Sequence, residues 1–240
     1  IKIKLDLKKI QLFLSTYEPK IIYQDVKIPI KEIKVYSKIN KILKSKIEAS
    51  KAIFTIEKFK IKDLQQVAIR IKPSNFKSYL LNNLKGGEIE KASFDLNIGK
   101  DFKIEDYKIN GSIKEININI KNIFIVKDIS SNFILDNNLA LINSIKAQYE
   151  GIAISSGSID MKRKKNIEIK GKFNSQFNFK NDQLKKLFPK VKFLKENKVK
   201  AQGSLLHEFN IQIDNRFKIV DYDYKASGSI SNSSVILKED

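Results

Sequence analysis

Phe94-Asp95-Leu96-Asn97-Ile98, Ile109-Asn110-Gly111-Ser112-Ile113, Ile116-Asn117-Ile118-Asn119-Ile120 and Ile152-Ala153-Ile154 all fall between Gly86 and Arg163. In each, an apolar residue alternates with a polar one. Side chains of a strand point alternately to its two faces, so this spacing predicts strands with one wet face and one apolar face. The connections between runs are short: Gly99-Lys100-Asp101, Asp136-Asn137-Asn138, Tyr149-Glu150-Gly151 and Lys164-Lys165-Asn166. Loops of this length join neighbouring antiparallel strands.

Outward from this block the same pattern recurs. Residues 1–72 read as strands, with alternation at Ile1, Ile3, Leu5 and Leu7, at Val26, Ile28 and Ile30, over Ala52 to Ile61, and at Val67, Ile69 and Ile71. Residues 73–85 read as a helix, because Phe76, Leu80, Leu81 and Leu84 share helical spacing behind a Ser74 cap and ahead of Gly86. Residues 86–179 form the central antiparallel sheet, with separate strands expected over Tyr107 to Ile113 and Ile116 to Ile120. Residues 181–198 return to helical spacing through Leu184, Leu187, Phe188 and Val191, and strands resume over 199–240. The expected architecture is mainly β: one curved antiparallel sheet over residues 1–240, with two short helices.

Gly111-Ser112-Ile113, Gly157-Ser158-Ile159, Gly203-Ser204-Leu205 and Gly228-Ser229-Ile230 repeat one tripeptide, and Gly171-Lys172-Phe173 is related. Glycine inside a strand marks a bend, a bulge or a close backbone approach. The other reading is that each glycine starts a strand after a turn. Regularly bent strands would belong to a sheet that curls.

The chain has 240 residues, 42% of them hydrophobic, and a net charge of +19. Such charge ordinarily points to a polyanion. Yet 43 of the 46 basic residues are Lys; only Arg70, Arg163 and Arg216 carry the bidentate fork that phosphate and base recognition favours. The abundance of Ile, Lys and Asn, whose codons are AT-rich, ties much of the charge to genome composition. Nucleic acid is therefore not the expected partner. Alternation starts at Ile1, which reads as a piece cut from a longer chain, with any signal or anchor upstream. No Cys is present, which excludes a disulfide framework and thiolate metal sites.

Catalytic chemistry finds little support. His207 is the sole histidine and reads as structural. No nucleophile elbow, phosphate loop or dinucleotide fingerprint occurs. Glu105 and Asp106 are neighbours and point to opposite faces of a strand; Asp221 and Asp223 share a face but lack a third ligand, which favours a solvated surface over a cation site. Met161-Lys162-Arg163-Lys164-Lys165 reads as a solvated hairpin tip. The chain is expected to be no enzyme and to need no cofactor or metal. Phe94, Phe133, Phe173, Phe177 and Phe179 are spread along apolar faces instead of clustering on a basic platform.

The segment Phe76-Lys77-Ser78-Tyr79-Leu80-Leu81-Asn82-Asn83-Leu84-Lys85-Gly86-Gly87-Glu88-Ile89-Glu90-Lys91-Ala92 resembles the short helix, Gly-Gly turn and strand of large AsmA-like proteins, in particular the YhdP-type subgroup. Ile109 to Ile113, Lys127-Asp128-Ile129 leading to Asn132-Phe133, Ile145 to Ile152 and Ser156-Gly157-Ser158-Ile159 continue the resemblance, which covers residues 74 to 175. It implies that the curved sheet forms an elongated groove of repeating character, a segment of a β-groove protein of the periplasm and cell envelope. Parts outside this chain would anchor it in the inner membrane and reach the outer one. The groove would carry phospholipids between the two, supporting outer-membrane integrity. Each buried methylene is worth about 0.8 kcal/mol, so exposing two acyl chains costs on the order of 20 kcal/mol, a cost that an apolar trough removes. Parity along the strands assigns Phe94, Leu96, Ile98, Ile109, Ile116, Ile118, Ile120, Phe133, Leu135, Ile152, Ile154, Ile167, Ile169 and Phe173 to the groove, with phospholipid acyl chains as the partner. The competing reading is a structural β scaffold of the envelope with a closed core and no ligand.

Overall fold

The computed structural model describes residues 2–6, 11–23, 25–39, 48–69, 78, 81–120, 124–187, 190–214, 216 and 218–237. The protein is mainly β. Its strands are β1 (Lys2–Asp6), β2 (Gln11–Tyr17), β3 (Ile21–Tyr23), β4 (Val26–Ile28), β5 (Ile30–Lys38), β6 (Lys51–Lys60), β7 (Leu84–Lys85), β8 (Glu88–Ile98), β9 (Ile104–Ile120), β10 (Phe124–Asp136), β11 (Leu139–Tyr149), β12 (Ile152–Arg163), β13 (Ile167–Phe179), β14 (Lys198–Ile213) and β15 (Ile219–Ile236). The α-helices whose bounds lie within the described residues are α1 (Ile61–Ile69), α2 (Asn181–Leu187) and α3 (Lys192–Glu196). Thirteen strands form one sheet in the order β1-β2-β5-β6-β8-β9-β10-β11-β12-β13-β14-β15, with β7 pairing β9; β3 and β4 form a separate hairpin. The path has two ends and does not close. The chain divides into two compact units, 1–116 with 132–140, and 117–131 with 141–240.

The strands are longer than the alternation predicts, and the reason is physical. Hydrophobic phase slips by one residue at Lys114-Glu115, which divides the expected strand 107–113 from 116–120. The structure runs straight through as β9, with Glu115 at φ 56°. One extra residue in a strand is a β-bulge: it bends the strand and shifts side-chain parity by one. A bulge at Glu115 thus accounts for the slip in phase without ending the strand. In the first unit the β5–β6 and β8–β9 registers slip likewise at Ile30/Glu32 and Ile89/Lys91, and Lys58 of β6 has φ 54°. In the second unit Asp128 of β10 and Ser144 of β11 have φ 54° and 55°, and registers slip at Ile154/Ser156 of β12 and Gln202/Gly203 of β14.

Two expectations are corrected by packing. Val67 and Ile69 belong to α1, not to a strand. Ile61, Leu64, Val67 and Ala68 recur at helical spacing, Asp63 sits in the first turn where the helix dipole favours an acid, and Leu64 and Val67 pack on the core. Ile71 lies outside the described residues. The single helix expected over 181–198 is two, α2 and α3; the sequence between them contains Pro189, a residue without the N–H that a continuous helix requires. Lys198 already belongs to β14. The helix expected over 73–85 lies largely outside the described residues. Within it 81–83 are helical, Leu84 and Lys85 form β7, and Gly86 and Gly87 turn with φ of 63° and 75°. A Cβ on Gly87 would lie 2.7 Å from the backbone of Glu115 and Ile116, so this turn admits no larger residue.

In the first unit the core is Val26, Ile56, Phe59 and Ala92, packed by Ile28, Ile30, Leu64, Val67, Ile89 and Phe133. Phe54 and Phe94, opposite each other in register, stack at 4.4 Å. Helix α1 and the β3–β4 hairpin cover this part of the sheet, and the Gln65 amide donates to the carbonyls of Leu81 and Leu84 at 3.2 and 3.1 Å. In the second unit Phe177 and Phe179 of β13 are buried with Leu184 of α2 and Leu194 of α3. Each such side chain contributes about 1.5–3 kcal/mol on burial.

The repeated glycines sit inside strands, not at their starts, and the register explains them. Gly157, Gly171 and Gly203 lie directly opposite Phe173, Phe209 and Phe177. A Cβ at any of the three would overlap the facing ring or the backbone beside it. Each ring thus lies over a bare stretch of backbone and shields it, the cross-strand arrangement by which an aromatic residue compensates a strand glycine. The three atoms nearest to such a Cβ at Gly171 all belong to the Phe209 ring. Gly171→Ala is therefore expected to cost about 1–3 kcal/mol by overpacking. In a Phe209→Ala background that penalty largely vanishes. Urea unfolding of the two single variants and the double variant checks it; additivity within about 0.5 kcal/mol overturns it.

Candidate functional site: an apolar sheet face

The register of β12, β13 and β14 places Ile152, Ile154, Gly157, Ile159 and Met161 on one face with Ile167, Ile169, Phe173, Ser175, Phe177 and Phe179, and with Leu205, His207, Phe209 and Ile211. From β15, Tyr222, Tyr224, Ala226 and Gly228 join it. Tyr149 lies across the two-residue turn Glu150-Gly151 from Ile152; both turn residues have positive φ, at 44° and 86°, as tight hairpins of this hand require. Helices α2 and α3 cover only the part of this face around Phe177 and Phe179. Next to that covered core the face is half-buried and hollow. A cavity of about 310 Å³ is lined by Val126, Tyr149, Ile152, Ile154, Phe173, Ser175 and His207. Among the described residues no charged side chain lines it. Its size is at the lower end for sites that take small molecules.

Two polar residues interrupt the hydrocarbon, and both are hydrogen-bonded. Ser175, 2% exposed, places Oγ 2.8 Å from His207 Nε2 and 3.4 Å from the Leu205 carbonyl. His207 Nδ1 is 2.8 Å from Tyr224 Oη. His207 is thus a cross-strand link in the cavity wall, and its structural reading from sequence is enlarged, not replaced.

The opposite face is charged. Lys170 bonds Glu168 at 2.8 Å and Lys172 bonds Glu208 at 2.8 Å, while Lys162 lies 3.1 Å from Asp160. Hydrogen bonding from Lys170 and Lys172 holds the Glu168 and Glu208 carboxyls below their ordinary range. Exposed pairs of this kind add little stability. They do keep water on that face, so the sheet's polarity is sorted by side.

The residues proposed from parity distribute as follows. Phe94 and Ile109 are register partners beside the first unit's core, Leu96 continues the same side opposite Tyr107, and Ile98 follows two residues on. Phe133 packs on that core, with Leu135 the next in alternation, and Ile116 is buried at 4% exposure. Of these first-unit positions Ile116 is buried and the others are partly buried, as Ile152, Ile154 and Phe173 are in the second unit. Toward the β1 edge the same face is open: Ile3, Leu5 and Leu14 are exposed. Ile118 follows Ile116 by two residues in β9; the side chain of Ile120 lies outside the described residues. Ile152, Ile154 and Phe173 line the cavity, and Ile167 and Ile169 share their face. Sequence reasoning omitted Val126, Tyr149, Ser175 and His207. A serine and a histidine at apolar phase positions were the available signal.

Among the described residues no group of three His, Cys, Asp or Glu side chains is placed to hold a metal ion, and no helix is long and apolar enough to cross a membrane. Met161 to Lys165 occupies the end of β12 and its turn, where Lys164 N–H donates to the Asn166 carbonyl at 3.0 Å. No family model, curated protein or solved structure matches the chain.

Proposed function

We propose that this chain is a lipid-binding segment of an envelope protein similar to the AsmA-like group, holding acyl chains against the apolar face of its sheet. In this reading it serves phospholipid transport between inner and outer membranes and outer-membrane integrity. It works in the periplasm, anchored to the inner membrane by a segment outside these residues, and it is not an enzyme. The observation that carries the proposal is the uncharged cavity beside the Phe177–Leu194 core, lined by Ile152, Ile154 and Phe173. A scaffold with a closed core would have that hydrocarbon covered by its own chain, as α2 and α3 cover Phe177 and Phe179. Acyl chains match the cavity in chemistry, and each methylene that enters it is worth about 0.8 kcal/mol.

Purified chain, incubated with phosphatidylethanolamine–phosphatidylglycerol vesicles, re-isolated and sprayed under native conditions, is expected to carry bound phospholipid as discrete mass increments. A bare mass at every lipid concentration would sink the proposal.

A further inference from the structure

The Ser175–His207–Tyr224 chain of hydrogen bonds has a consequence for what the cavity binds. Its protons admit two arrangements. In the first, Tyr224 Oη–H donates to His207 Nδ1, His207 Nε2–H donates to Ser175 Oγ, and Ser175 Oγ–H donates to the Leu205 carbonyl. Every donor is then spent inside the protein. In the second, the whole chain is reversed: Ser175 Oγ–H donates to Nε2, Nδ1–H donates to Tyr224 Oη, and the Tyr224 hydroxyl proton points away from the protein. The two inner contacts, both 2.8 Å, serve either arrangement. Only the bond to Leu205, at 3.4 Å, is given up on reversal, and it is the weakest of the three.

Ser175 is buried and Tyr224 is 57% exposed, so the chain runs from the cavity wall outward to a hydroxyl that solvent or a ligand reaches. An acceptor placed at that hydroxyl favours the reversed arrangement. An apolar chain lying against Ile152, Ile154 and Phe173 and ending in such an acceptor satisfies both parts of the site. An acyl group is that combination: hydrocarbon joined to a carboxyl or ester oxygen. We infer that the second unit holds a site for one acyl chain, with its carboxyl or ester oxygen accepting a hydrogen bond from Tyr224, oriented by His207 and Ser175. This inference rests on the lipid-binding reading above and specifies where the polar end of the lipid is held.

The test compares three competitors that share an unbranched chain: oleate, methyl oleate and 1-octadecene, each displacing dansyl-undecanoic acid from the purified chain. Tyr224→Phe is expected to weaken oleate or methyl oleate about tenfold, the worth of one hydrogen bond, and to leave octadecene unchanged. Ser175→Ala, which frees the far end of the chain of bonds, shifts the same ligands in the same direction by less. A larger loss for oleate identifies a free fatty acid as the source of the acyl oxygen; an equal loss identifies an ester. Equal weakening of all three ligands means that Tyr224 only packs, and no change in any of them means that the oxygen lies elsewhere; either result overturns the inference. Both leave the lipid-binding reading standing, whereas failure of the unmodified chain to bind even octadecene overturns that reading as well.

Discussion

Phe177→Ala is expected to lower the stability of the second unit by about 3–5 kcal/mol, the range for removing a buried aromatic ring. Three losses coincide at this position. The ring is buried in the core with Leu184 of α2 and Leu194 of α3, so its removal leaves a void beneath both helices. It stacks on Phe179 at 5.1 Å, an aromatic pair worth about 0.5–1.5 kcal/mol beyond its area. It also lies over Gly203, its register partner, whose backbone becomes exposed. The helices have little else to hold them: α2 and α3 span seven and five residues, too short to persist without packing. Urea unfolding followed by circular dichroism should show a lower midpoint, and hydrogen exchange should show early loss of protection in 181–196. A loss below about 1 kcal/mol would mean that α2 and α3 are held by something other than this ring. Phe173→Ala is the informative contrast. Phe173 is only half-buried, in the cavity wall, and its removal should cost less.

The sheet was legible because alternation is a direct projection of strand geometry. Ile109, Gly111 and Ile113, or Ile152 and Ile154, can be assigned to a face without knowing their partners. Strand length was not legible for the same reason. A phase slip has two structural causes, a turn or a bulge, and at Lys114-Glu115 nothing local distinguishes them; a neighbouring strand of full length decides it. Helix α1 was misread because Val67 and Ile69 fit period two as well as Leu64 and Val67 fit a helical period. The β3–β4 hairpin, which packs on the same core and settles the matter, is remote in sequence. The glycine tripeptides show the limit from the other side. Their recurrence was visible, but their cause is the phenylalanine on the next strand, and only register connects Gly171 to Phe209. The candidate site divides along the same line. Its apolar members follow from parity, whereas Ser175, His207 and Tyr224 become a unit only when β13, β14 and β15 lie side by side.

A charge placed on each side of the sheet should separate the two faces by function. Ile154→Glu is expected to reduce acyl-chain binding at least about 100-fold, and Gln176→Glu to leave it unchanged. Ile154 lies in the cavity wall, opposite Ser175 in register; Gln176, the partner of Ala153, points to the other side and is exposed. An acyl chain laid over Ile154→Glu would bury a carboxylate without a partner, at a cost of about 3 kcal/mol or more, which converts to the stated loss. The two substitutions change net charge by the same amount, so any general attraction of this +19 chain to an anionic bilayer is weakened equally in both. That makes the comparison independent of the lysines. Ile154 is outside the Phe177–Leu194 core and only partly buried, so the chain should still fold; Ile154→Asn, smaller and neutral, serves if it does not. The measurement is displacement of a fluorescent fatty acid, repeated with each variant at matched ionic strength. Equal binding by both Glu variants would place the lipid off this face, and equal loss in both would make charge, not the sorted polarity of the sheet, the source of binding.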